Sequence, residues 1–469
     1  MPPFTGEEPI MPILDESPSV EMQKFRHVAG VQDEDFEREI DEAVLEGPRG
    51  SILKIGRGVH CVSNSLRPLL TFFRILAIFP TDCDRRVRRR RSKQTILKYC
   101  FYLIYVLCVI LLNSYLISFN YRVLGLYRVK FGLMHTGTVA SMITATKPVI
   151  NVVVIFLSLI TFRQHRRLLK TIDMVDVCFR SAFNVSPSLK IYKFVFFLIL
   201  FLVFMSSLTL KIAEFIGTEQ VFGHAIMSDM SFLIVPLLSL WNIIPLLYYH
   251  LYNVLIRFYC RTLIRSMNRE HKKRHFSLKF YYEQFLRITN VQEAVGEVFN
   301  PFLLFSLAWS LIVVCLTIYF LSEDTSVLMV PITADQINNL EIRNKLNTTV
   351  HFSICWASYQ LIMALFHIAM ICATGMRTNE TTRQIVNAVL RIVPDANADL
   401  DRFQISCFVH KMTTQFMWGM TVWRAFPLER ATFFTILSLV VTYSLILFRF
   451  KENNIPLRGG DPTNATYAG

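Results

Sequence analysis

DRRVRRRRSKQTILK, residues 84–98, runs straight into YCFYLIYVLCVILLNSYLISF, residues 99–119. Eight Lys and Arg side chains therefore stand at the head of 21 uncharged, mostly apolar residues. A hydrocarbon layer about 30 Å thick takes roughly 20 residues of helix, so the second stretch is long enough to cross it. Lipid offers backbone groups no water, and a helix satisfies them within the segment. Six further stretches repeat the pattern at 138–162, 194–210, 232–256, 299–321, 352–376 and 431–448, the first of them interrupted by Lys147 alone. The run PLLTFFRILAIFP at 68–80 is too short to cross and contains Arg74, so it reads as a re-entrant or interfacial helix. The expected fold class is all-α, a polytopic membrane protein with seven transmembrane helices.

Composition agrees with that reading. The 469 residues are 53% hydrophobic and 18% charged, where soluble domains carry about 25% charge. The formal charge of +14 would suggest a nucleic-acid partner in a soluble chain. Its distribution gives it another meaning, because Lys and Arg concentrate on the cytosolic side of membrane proteins. Segments 84–98, 163–193, 257–297 and 377–430 hold 31 of them, against nine in the alternate segments. The amino terminus is thus expected in the cytosol and the carboxyl terminus outside. A G-protein-coupled receptor with seven helices would need this charge pattern inverted throughout. Residues 1–50, with 13 acidic and four basic side chains, lack the apolar content to fold alone. Residues 1–60 are accordingly read as a disordered acidic cytosolic tail, with no leader peptide to be removed.

Sequons at Asn347 and Asn464 fall outside and are expected to carry glycans, whereas those at Asn184 and Asn379 fall inside and are expected to be silent. The ten cysteines include no CxxC pair, and no glycine-rich phosphate loop, GxSxG or HExxH is present. No enzymatic activity, cofactor or metal site is expected. Seven unequal spans without self-similarity argue against a secondary transporter.

Near the carboxyl end the chain reads Thr442-Tyr443-Ser444-Leu445-Ile446-Leu447-Phe448-Arg449-Phe450. This resembles the signature of the insect gustatory receptors: a Thr-Tyr pair, five mostly apolar residues, then Gln-Phe, with Arg449 replacing the Gln. The preceding HKMTTQFMWGMTVWRAFPLER, residues 410–430, is similar to the same region of the carbon dioxide receptor subfamily. The resemblance covers roughly residues 60–455. It implies a tetrameric, ligand-gated, non-selective cation channel in the plasma membrane of sensory neuron dendrites. The ligand it implies is carbon dioxide or its hydrated form, with a sugar or bitter compound as the alternative. Residues 61–430 would then hold helices one to six, and 257–297 and 377–430 would supply a cytosolic anchor to which Phe416, Trp418 and Trp423 contribute packing. Residues 431–450 would line the pore and 451–469 would form an extracellular tail.

Individual residues carry further expectations. Thr442, Tyr443, Leu447, Arg449 and Phe450 are the pore or gate candidates, and Tyr443, Leu447 and Phe450 share one helical face. Four guanidinium groups from Arg449 around one pathway would repel a permeating cation, so other gustatory receptor subunits are expected in the tetramer. Lys147 lies about nine residues inside its span, roughly 14 Å deep. An amine held away from water loses its proton more readily, and a neutral amine adds carbon dioxide to form a carbamate. Pairing with an acidic group or a wet cavity is the structural alternative. Trp241, Tyr319, His351 and Trp356, polar or aromatic side chains in outer halves, are the remaining ligand-pocket candidates, and aromatic residues at such depths also serve as interfacial belts. Pro148, Pro236 and Pro245 each remove a backbone donor inside a span and are expected to open space between helices.

Overall fold

The computed structural model describes residues 62–79, 93–131, 136–222, 228–270, 278–322, 340–391, 402–403, 405–406, 409–410, 420–422 and 426–454. The chain divides into two units at residue 60, and residues 1–60 lie outside the described part. The second unit is built from α1 (Val62–Ile75), α2 (Lys93–Phe131), α3 (Thr136–Ile160), α4 (Phe162–Phe183), α5 (Lys190–Phe222), α6 (Ser228–Glu270), α7 (Leu278–Leu321), α8 (Leu340–Leu390) and α9 (Arg430–Asn454). A two-stranded hairpin, β1 (Thr421–Val422) and β2 (Phe426–Pro427), precedes α9 with Thr421 opposite Pro427 and Val422 opposite Phe426.

Among the described residues, six helices are long and apolar enough to cross a membrane, with spans in α2, α3, α5, α7, α8 and α9. The expected span at 232–256 lies within α6, where the side chains of Phe232, Leu233, Ile234 and Val235 lie outside the described residues. Its composition follows from its position. α6 packs against α3, α5, α7 and α8, so from Leu238 onward most of its side chains meet protein and not lipid. A walled-in helix needs no apolar ring facing outward, and α6 carries buried Asn242, Tyr248, Tyr249, Tyr252 and Asn253. α7 is the second central helix, in contact with α3, α4, α6, α8 and α9. α2, which packs chiefly on α3, leaves Phe101, Ile104, Leu107, Leu111 and Tyr115 exposed as a lipid-facing helix must.

Three helices extend well past the apolar stretches read from the sequence. α6 continues to Glu270, α7 begins at Leu278 and α8 continues to Leu390. The extensions stay amphipathic: Tyr259, Cys260, Leu263 and Met267 are buried while Arg261, Arg265 and Arg269 are exposed. α4 extends α3 after a break at Thr161 and ends at Asn184, whose left-handed backbone (φ 53°) lets its N–H donate to the Arg180 carbonyl at 3.0 Å.

α1 closes against this core through an unusual ending. Ala77 and Phe79 both sit in the left-handed region (φ 58° and 47°), which costs a residue other than glycine on the order of 1–3 kcal/mol. The Ile78 N–H donates to the Phe73 carbonyl at 2.9 Å, and the Trp241 indole N–H donates to the Leu76 carbonyl at 2.8 Å. Phe79 is fully buried, its ring 4.7 Å from His165, 5.4 Å from Phe302 and 5.5 Å from Tyr248 between centroids. Full burial of such a side chain contributes roughly 2–3 kcal/mol, enough with its ring contacts to offset the backbone strain. At the other end of α1, Ser63 donates both its N–H (2.9 Å) and its hydroxyl (2.6 Å) to the Asp173 carboxylate of α4.

Candidate functional site

Halfway along their spans, α3, α6, α7 and α8 bring polar side chains together in an apolar setting. Pro148 on α3 and Pro245 on α6 each lack a backbone donor where these helices meet α7. A small cavity of about 10 Å³, sized for one water-like group, is lined there by Ile150, Val154, Asn242, Pro245, Phe302 and Ser306. The Asn242 Nδ2 and the Ser306 hydroxyl are buried and have no hydrogen-bond partner among the described residues. Leaving such groups unpaired costs about 1–3 kcal/mol each, which a polar ligand or water would recover.

One turn away, the Trp309 indole N–H donates to Thr146 Oγ1 at 3.0 Å, and that hydroxyl donates to the Ile143 carbonyl at 2.8 Å. The His367 ring lies 5.8 Å from the Trp309 ring, and both His367 nitrogens are buried without a hydrogen-bond partner among the described residues. Lys147, half-buried on α3, acts electrostatically on His367. Asn151, one turn below Lys147, is tied off by its amide donating to the Leu238 carbonyl at 3.1 Å. The cavity can hold one water-sized polar group against Asn242 and Ser306, and Lys147 and His367 lie near it without lining it.

The residues expected to line a pocket separate into three places. Lys147 belongs to this mid-span cluster. Tyr319 and Trp356 lie toward the outer ends of α7 and α8, where Phe320 and Trp356 pack edge to face at 6.0 Å; Tyr319 is buried, Trp356 half-buried and His351 exposed. Tyr319 is ten residues from Trp309, or roughly 15 Å along α7. Trp241 sits apart from both, buried with its N–H on the Leu76 carbonyl. Sequence reading passed over His367, Asn242 and Ser306. A lone His, Asn or Ser in an apolar run carries no spacing signal, and their shared feature is burial without a partner.

On α9, Ile436, Val440 and Ser444 are buried and Leu447 is half-buried. At 100° per residue they form one stripe, and it packs on α7 and α8. Thr435, Ser438, Thr442 and Arg449 form a second, exposed stripe on the opposite side. Tyr443, 56% exposed, lies between the two. The side chain of Phe450 lies outside the described residues, as do Phe416, Trp418, Trp423 and Asn464 and the side chain of Asn347.

Three comparisons place this architecture. The family described as 7tm chemosensory receptor matches residues 66–454. A Caenorhabditis elegans protein named as a probable G-protein coupled receptor, egl-47, is 73% identical over 399 residues, covering 85% of this chain and 76% of that protein. The insect olfactory receptor OR5 of Machilis hrabei in complex with eugenol superposes with a TM-score of 0.56 at 14% identity, over 83% of this chain and 98% of that one. The structure of the same receptor without that description of a ligand gives 0.52 over the same shares. The fold is that of an insect olfactory receptor, and this multi-pass membrane protein belongs to the 7tm chemosensory receptor family.

Proposed function

We propose that this chain is a subunit of a ligand-gated, non-selective cation channel, assembled as a tetramer with other receptor subunits in the plasma membrane of chemosensory dendrites. The observation that carries the reading is the two-sided α9. One stripe packs on its own subunit, and the opposite stripe presents Thr435, Ser438, Thr442 and Arg449 outward. Lipid disfavours such a stripe, while a water-filled pathway between four copies of the helix accommodates it. Leu447, packed on its own subunit, supports the wall of that pathway.

Arg449 argues for mixed assembly. Four exposed guanidiniums around the pathway raise the energy of a passing cation, and partners with a neutral side chain at that level relieve it. Expressed alone, this chain is expected to pass no cation current, and Arg449→Gln is expected to restore one. Cysteines at Thr435, Ser438 and Thr442 should let thiol reagents block the current, whereas cysteines at Ile436 and Val440 should not. Robust current from the chain alone with Arg449 intact sinks the mixed assembly.

The nematode relative's name supplies a second reading, coupling to a G protein. Sidedness separates the two, because the basic segments put the amino terminus inside for a channel of this fold and a G-protein-coupled receptor puts it outside. An amino-terminal epitope on intact cells is expected to stay hidden from antibody until the membrane is permeabilised. Labelling without permeabilisation ends the channel reading.

For the ligand, carbon dioxide is put first on the resemblance of residues 410–430 and on the amine of Lys147, half-buried within its span. In that chemistry the neutral amine nitrogen bonds to carbon, one C=O electron pair moves to oxygen, and the amine releases a proton to water. Lys147→Arg and Lys147→Met are each expected to abolish a carbon dioxide response at constant pH. An unchanged response in both Lys147 variants removes the carbamate step.

A further inference from the structure

A second cavity, of about 260 Å³, opens between α5, α6 and α8, far along the helices from the mid-span cluster. Its lining is strongly basic: Arg257, Arg261 and Arg265 from α6, Arg377 from α8, with Tyr192 of α5 and His250 of α6 at its walls. The three α6 arginines recur every four residues, so they stack on one helical face. Like charges at that spacing repel, and among the described residues no carboxylate lines the cavity. Among the described residues, none of the four arginines forms an ion pair. Arg257 uses its Nε to donate to the Asn253 carbonyl at 3.3 Å, which aims the fork of the guanidinium away from the helix, and the nearest acidic neighbour of Arg377, Glu380, is engaged by Arg430 at 3.4 Å. The His250 ring is held by Thr374 at 2.8 Å.

Position along the helices gives this charge its meaning. Arg257 is the first residue beyond the apolar stretch 232–256, Arg377 the first beyond 352–376, and Tyr192 stands two residues before 194–210 begins. All three helices therefore deliver the cavity to the same membrane surface, the one that the basic segments mark as cytosolic. Basic pockets between helices at that level match phosphorylated headgroups, and a guanidinium fork meets a phosphate with two parallel hydrogen bonds.

We propose that this cavity is a binding site for phosphate monoesters on an inositol ring, supplied by a phosphoinositide headgroup of the inner leaflet or by a soluble inositol phosphate. Four arginines without carboxylate partners supply the charge for two such groups, and the volume is close to the roughly 300 Å³ of small ligand pockets, too tight for a folded peptide.

The test uses the full-length protein in nanodiscs of phosphatidylcholine alone, with phosphatidylserine, or with phosphatidylinositol bisphosphate, with bound lipid read by native mass spectrometry and displacement by soluble inositol trisphosphate. Retention of the bisphosphate lipid over phosphatidylserine is expected. Arg257→Gln combined with Arg377→Gln should weaken it roughly tenfold or more, while Arg257→Lys with Arg377→Lys keeps part of it. Arg163→Gln with Arg166→Gln, exposed on α4 and outside the cavity, controls for bulk charge. Displacement by inositol trisphosphate identifies the headgroup as sufficient; retention despite it identifies the membrane lipid as the source, and both support the site. Thermal unfolding of each variant checks that it is folded. Equal binding by the cavity and control variants overturns the proposal. So does absence of binding by the wild-type chain, the result expected if its own acidic amino-terminal segment fills the cavity.

Discussion

Asn379→Leu is expected to destabilise this protein by roughly 2–6 kcal/mol and to release the hairpin at 420–428 from α8, read as a lower unfolding temperature in detergent and newly accessible cysteines placed at Thr421. Asn379 is 4% exposed, and its amide holds three backbone groups. Nδ2 donates to the Met420 and Leu428 carbonyls, both at 3.1 Å, and Oδ1 accepts from the Met420 N–H at 2.6 Å. A leucine there strands the Met420 N–H and the Leu428 carbonyl in a dry site at about 1–3 kcal/mol each, while the Met420 carbonyl keeps the Leu428 N–H at 3.0 Å. Asn379→Asp keeps the acceptor and loses both donors, so it should fall between. One turn earlier, Gly375 lets the hairpin approach: a Cβ there would stand 2.6 Å from the Leu428 Cβ. Gly375→Ala should therefore cost about 1–3 kcal/mol through the same contact. The hairpin leads directly into α9, so both changes should also disturb the outward stripe, and channel currents should fall with stability. An Asn379→Leu protein within about 1 kcal/mol of wild type would show that the hairpin is held by other means. The same geometry bears on the sequon at Asn379, since a glycan on an amide with three hydrogen bonds is incompatible with the docked hairpin.

What the sequence shows readily is what composition along the chain can show. Seven apolar stretches lie inside helices of the structure, because residues that face lipid must be apolar on every exposed side. α6 illustrates the limit. Its stretch is a run of apolar residues, yet it carries buried Tyr and Asn side chains, and only three-dimensional neighbours explain why a membrane helix carries them. The helical extensions past residues 256 and 376 and before 299 mix apolar with polar and charged residues, a pattern equally compatible with a solvated loop until their partners are known.

The sites were less legible for a related reason. Trp241 reads as an interfacial aromatic, but the Leu76 carbonyl that holds its N–H is 165 residues away in sequence. His367 shows no sequence motif, and what distinguishes it is that neither ring nitrogen has a partner among the described residues. The arginine cavity draws on α5, α6 and α8, and counting positive charge assigns those arginines to a membrane face without showing that they converge. In α9 the sequence motif points to Thr442 through Phe450, whereas telling the packed face from the outward face requires knowing that Ile436, Val440 and Ser444 are buried.

Acidification from pH 7 to pH 5 is expected to remove about 2 kcal/mol of unfolding free energy through His165 alone. The side chain is completely buried on α4, its Nε2 2.9 Å from the Tyr248 hydroxyl, which is 2.6 Å from the Tyr252 hydroxyl, with the Phe79 ring stacked nearby. Burial holds its pKa down at about 3, against an ordinary value of 6.5. The unfolded chain therefore takes up a proton as pH drops below about 6.5 while the folded chain does not, so this stability is present above 6.5 and is lost progressively toward 3. The carboxylate of Asp176, three turns along α4, works in the opposite sense: burial raises its pKa, against the pull of Arg180 at 2.7 Å, so its protonation at lower pH favours the folded state. His165→Gln separates the two, because it keeps a hydrogen-bonding group for Tyr248 and cannot titrate. Its unfolding free energy should fall by about 2 kcal/mol less than that of the wild type between pH 7 and 5. Wild-type protein with the same unfolding free energy at both pH values would mean that His165 is protonated without penalty, and the packing of Phe79 against it would need another explanation.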